Sequence, residues 1–137
     1  TSIERNDNPA CVAFNVALAA LKRGRNVVMC FDAGAVNDLK VWKGQPTAFR
    51  YELPDKLKTM LAQRYDVSTD ELPQTYQQYL HALHEAGATI AANGFMSELV
   101  SLTEDPAEPG QLEPIVQMWS IDEILHEREQ ASIYFRY

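Results

Sequence analysis

Cysteine is scarce in this chain of 137 residues, which contains only Cys11 and Cys30. Two thiols without CxxC spacing are too few for a disulfide framework. Positive charge is also in short supply: 12 Lys and Arg stand against 19 Asp and Glu, a formal net charge of −7. Phosphate-backbone binding depends on clustered Lys and Arg, so this balance argues against a nucleic-acid partner. The densest basic group, Lys22-Arg23-Gly24-Arg25, falls at a helix end, where it complements the helix dipole. No apolar run approaches the roughly 20 residues that span a bilayer, so no membrane partner is expected. The opening, Thr1-Ser2-Ile3-Glu4-Arg5-Asn6-Asp7, is polar and does not resemble a signal peptide. A reduced, cytoplasmic setting is the expectation. P-loop, GxGxxG, GxSxG and HExxH patterns are all missing, which removes the common nucleotide, dinucleotide, hydrolase and zincin readings.

What is present reads as one α/β domain over residues 1–137, long enough to bury about two-thirds of its unfolded surface. Asn8-Pro9 has the form of a helix start, an N-cap followed by a preorganised first position. Val12, Val16, Ala19 and Ala20 then share a face, and Gly24 stops the helix. Asn26-Val27-Val28-Met29-Cys30-Phe31 is short and continuously apolar after its first residue, the pattern of a strand buried on both faces. Residues 34–53 show no period and are expected to form a long loop. Pro54 starts a helix with Leu57, Met60, Leu61 and Tyr65 on one face. Ser68-Thr69-Asp70-Glu71 has capping-box form, but Pro73 would break a helix begun there. The next helix is placed from Leu72-Pro73, with Tyr76, Tyr79, Leu80 and Leu83 inward, up to Gly87.

Residues 88–92 make a second strand, 95–102 a short helix, and 103–110 an acidic loop. A third strand covers 115–119. The capping box Ser120-Ile121-Asp122-Glu123 leads a helix to about Gln130, and Ile133-Tyr134-Phe135 forms a last strand. Strands alternating with helices across short connections imply parallel crossovers. The expected fold is therefore an α/β, flavodoxin-like three-layer sandwich with a mainly parallel sheet. Ligands in such sheets bind beyond the carboxyl ends of the strands, here Asp32-Ala33-Gly34, Asn93-Gly94 and Trp119-Ser120. A helix opens the chain where a strand is usual, so a preceding strand is either missing from the sequence or its place is empty or filled from elsewhere.

The alanine-rich helix after Thr1-Ser2, its Gly-terminated link to Val27-Val28-Met29-Cys30-Phe31, and the turn between Gly87 and Leu99 resemble the DsrE/DsrF-like family. The closing stretch, 115–119, 120–130 and 133–135, resembles that family's terminal strand, helix and strand. The resemblance implies a trimeric or hexameric assembly and a role in sulfur relay, with a protein partner in sulfur transfer. Members hold sulfane sulfur as a persulfide on a cysteine after the central strand. That cysteine falls on Asn93. An amide cannot ionise to the thiolate that persulfide chemistry needs, so the activity does not carry over at this position.

Asn93 admits two readings: it satisfies its own turn, or it lines a retained ligand pocket with Asp32, Gly34, Gly94 and Ser97. Cys30, late in a buried strand, and Cys11, in a helix's first turn, are the possible thiols. Buried free Cys is commonly inert, whereas a helix N-terminus lowers a thiol's pKa. His81 and His84 are three apart on one helix, but no third ligand accompanies them, so no metal site and no cofactor are expected. Trp42 and Trp119 are candidate interface anchors, and residues 104–113 a solvated acidic loop. The leading expectation is a non-catalytic binding or assembly protein of the sulfur-relay type, using a strand-end pocket near Asn93. The competing one is a sulfurtransferase or sulfane-sulfur carrier working through Cys11 or Cys30.

Overall fold

The first helix, α1, runs from Ser2 to Lys22 and so begins before the expected cap at Asn8, with Pro9 inside it. The computed structural model describes residues 2–41 and 52–132, with side chains from Val12 onward. Trp42 and the strand expected at 133–135 lie outside the described residues. The far end of α1 behaves as its sequence indicates. Gly24 takes φ +73, its N–H reaches the Leu21 carbonyl, and Arg25 N–H reaches Ala20, a double closure that satisfies the last carbonyls.

The strand β1, Val28–Phe31, follows. An Asp32-capped 3₁₀ segment, Ala33–Leu39, then occupies the start of the expected loop. Val36 and Leu39 are completely buried there, so this stretch belongs to the core. Helix α2 spans Asp55–Tyr65; Leu61 is buried in it, but Met60, expected on the same face, is exposed. Ser68–Glu71 closes both arms of its capping box yet yields a single turn before Pro73. Helix α3, Tyr76–Glu85, starts at the Thr75 cap and not at Leu72-Pro73. Its four expected inward residues, Tyr76, Tyr79, Leu80 and Leu83, are all buried. Strand β2 is Thr89–Asn93, α4 is Gly94–Leu99, β3 is Gln117–Trp119 and α5 is Ile121–Gln130.

Among the described residues the architecture is mixed α/β around a three-stranded, all-parallel sheet in the order β1-β2-β3. The register pairs Cys30 with Ala91, Phe31 with Ala92 and Asn93 with Trp119. Because side chains alternate, Met29, Phe31, Ile90, Ala92 and Met118 share one face. That face joins the core with Phe14, Tyr76, Leu80 and Leu83. Phe14 of α1 meets Tyr76 and Tyr79 of α3 edge to face, at centroid separations of 5.7 and 5.2 Å. Such ring pairs add about 0.5–1.5 kcal/mol each beyond the area they bury.

The opposite face is different. Val28 and Cys30 are exposed and Met29 and Phe31 half-buried, so β1 is covered on one face only and the expectation of a doubly covered strand fails here. An edge strand with one open face can still be apolar throughout, because continuous hydrophobicity does not report how many layers cover it. No helix among the described residues is long and apolar enough to cross a membrane.

Candidate functional site

Three strand ends meet at the carboxyl edge of the sheet, and two of them are tied together. Asp32 Oδ1 accepts from Ala33 N–H at 2.7 Å and from Asn93 Nδ2 at 2.9 Å. Asn93 Oδ1 in turn accepts from Met96 N–H, which makes Asn93 the cap of α4. Ser97, fully buried, donates its hydroxyl to the Asn93 carbonyl at 2.9 Å. Both ends of the Asn93 amide are thus engaged, and the residue is almost fully buried. This is the turn-satisfying geometry.

The loop after α4 closes the same corner. A Cβ at Gly94 would run into the Pro106 carbonyl, so only glycine allows the loop to settle on the start of α4. Thr103, buried, accepts from Asp105 N–H and donates toward the Asp105 and Glu108 carbonyls, which curls the loop inward. Of the five residues expected to line one pocket, Asp32, Asn93 and Ser97 form this hydrogen-bonded knot and Gly94 lies beneath Pro106. Gly34 stands apart in open space, its carbonyl receiving Asn37 Nδ2 at 3.2 Å.

Open volume lies one strand further along. A cleft of about 350 Å³ at the end of β3 is lined by Phe95, Pro106, Ala107, Met118, Trp119, Ser120, Ile121, Asp122 and Glu123. A second lobe of about 330 Å³ continues along α5 past Trp119, Asp122, Glu123, His126 and Glu127. Trp119, expected as an anchor, is common to both, together with Asp122 and Glu123. Phe95 and Ile121 are more than half exposed, so their apolar surface faces solvent. Of this lining only Trp119 and Ser120 were expected at a strand end; Phe95, Pro106, Ala107, Met118, Ile121, Asp122 and Glu123 were not. Only the return of the 103–110 loop onto α4 brings Pro106 and Ala107 there, and no local sequence pattern encodes that return.

Cys30 occupies other ground. Cys30 is exposed on the open face of β1, yet its surroundings push its pKa up to about 11. Desolvation is the largest cause, Asp32 adds to it, and Arg128 of α5 opposes it. At pH 7 that leaves roughly one thiolate in 10,000. Cys11 is the tenth residue of α1, not a first-turn residue. The dipole fades within the first turn, so the helix-end argument for activating Cys11 no longer applies.

The acidic loop holds a further surprise at its far end. Glu113 is buried, not solvated: Oε1 accepts from Gln77 Nε2 at 2.6 Å, and Oε2 lies 3.1 Å from His81 Nε2. His81 is thereby a structural partner of a carboxylate. Among the described residues no group of three His, Cys, Asp or Glu could hold a metal ion. In comparisons with protein-family models, curated proteins and solved structures, no match to this chain was found.

Proposed function

We propose that this protein is a non-catalytic binding or assembly protein of the sulfur-relay, DsrE-like type. In this reading the working feature is the strand-end cleft beside the Asn93 turn, which receives a small ligand or a partner's side chain. The observation that carries it is the engagement of Asn93. Where the resembled family holds a reactive thiol, this chain has an amide whose oxygen caps α4 and whose nitrogen holds Asp32. Position 93 then contributes a rigid turn beside the cleft and no nucleophile. The exposed apolar side chains of Phe95 and Ile121, which border the same cleft, support an assembly role, because contiguous exposed apolar patches mark interaction sites. A trimer or hexamer, a cytoplasmic location and a flavodoxin-like three-layer arrangement belong to the same reading.

The competing reading, a carrier using Cys11 or Cys30, draws on the exposure of Cys30. Its raised pKa weighs against it, since transfer needs a thiolate near neutral pH. Intact-protein mass spectrometry after brief exposure to polysulfide separates the two, with Cys11→Ser and Cys30→Ser alongside. The binding reading expects no gain of whole sulfur atoms under conditions that load a true carrier. A gain abolished by one of the two variants would overturn it in favour of sulfur transfer.

A further inference from the structure

The cleft at the end of β3 has a chemical character that narrows its ligand. Its walls are aromatic and aliphatic: Trp119, Phe95, Met118 and Ile121. Its charged lining is of one sign. Asp122 and Glu123 border both lobes and Glu127 the adjoining one, while no Lys or Arg among the described residues lines either. His126 completes the adjoining lobe.

The N-terminus of α5 also opens here, and a helix N-terminus by itself favours an anion. Magnitudes decide against that. The dipole supplies the equivalent of about half a positive charge, whereas Asp122 and Glu123 bring two full negative ones. The first turn is also self-capped. Ser120 Oγ accepts from Glu123 N–H at 3.2 Å, and Glu123 Oε1 accepts from Ser120 N–H at 3.3 Å. Glu123 is therefore partly committed, and Asp122 is the carboxylate with no hydrogen bond of its own drawn into the cap.

We propose that this cleft binds a small organic ammonium ion, a cationic head on a compact apolar body. The proposal deepens the binding reading above and rests on it. An aromatic wall attracts a cation through its ring quadrupole, and a weakly hydrated alkylammonium loses little water when it moves against Trp119 and Phe95. The main lobe, near the lower end of ligand-pocket volumes, is large enough for a small head group. The acidic rim supplies the counter-charge without demanding directional hydrogen bonds, which a quaternary ammonium centre such as that of choline cannot donate.

Choline and its neutral isostere 3,3-dimethylbutanol form the test pair. They are titrated into the full-length Trp42→Phe protein, where Trp119 is the sole indole fluorophore, with calorimetry on the unmodified chain as the second readout. Choline is expected to bind about fivefold tighter than the alcohol, the factor that about 1 kcal/mol of cation–π attraction corresponds to. Asp122→Asn should reduce that preference at least about twofold while circular dichroism stays unchanged, and added salt should reduce it as well. Equal affinity for choline and the alcohol would overturn the cation inference and leave the cleft standing as a binding site. No response to either compound by fluorescence or calorimetry would overturn the inference together with the cleft reading beneath it.

Discussion

An amide at position 93 does for its turn what a thiol cannot. It accepts with one atom and donates with another, whereas a thiol is weak in both roles. Asn93→Ala and Asn93→Cys should therefore each cost about 1–2 kcal/mol in urea unfolding, through loss of the α4 cap and of the tie to Asp32. Cys30 carries a pH signature. Its folded pKa, about 11, lies above the unfolded 9.0, so its contribution is complete below pH 9 and is lost as pH rises toward 11. Cys30→Ser should flatten that alkaline limb of the stability curve. Asp38 is raised above 3.8 by desolvation, so ionising it opposes folding as pH rises through its folded value. Asp38→Asn should accordingly stabilise the protein at pH 7, with the gain disappearing at pH 3. The residue types at positions 93 and 30 were readable from the sequence. The exposure of Cys30 was not, because it depends on which face of β1 receives a layer.

At the scale of elements, the helices with strong caps and regular apolar spacing were the legible ones. Both arms of the Ser120 box close, and α3 buries the four residues its period indicates. The 3₁₀ segment at Ala33–Leu39 escaped because only Val36 and Leu39 point inward, too few positions to establish a period. The start of α1 escaped because the cap signal at Asn8-Pro9 is local, and the helix runs through Pro9 although an interior Pro forfeits an N–H and crowds the carbonyl one turn before it. The loop after α4 depends on contacts distant in sequence, and two substitutions test it. Gly94→Ala should destabilise by about 1–3 kcal/mol, since the Pro106 carbonyl must retreat. Glu113→Ala strips Gln77 and His81 of their partner. Hydrogen exchange should then speed up at the Glu113 and Val41 amides, which pair with Leu39 and Gln111. Unchanged exchange at both would mean that the carboxylate does not anchor the loop.

On the scale of the whole molecule, a parallel α/β sheet was legible from the alternation of elements, and the position of its open site was not. Ligands favour the carboxyl edge of such sheets, but three strand ends share that edge. Side chains closed the corner between β1 and β2 and left the end of β3 open. Asp32 and Asn93 bond to each other, Pro106 settles on Gly94, and Trp119 keeps a free wall. The most direct test is amide chemical-shift mapping of the native protein against a panel of small polar and apolar fragments. The account predicts that the shifts centre on Phe95, Ala107, Trp119, Ile121 and Asp122. Shifts centred on Asp32, Gly34 and Asn93, or on Cys30, would contradict it.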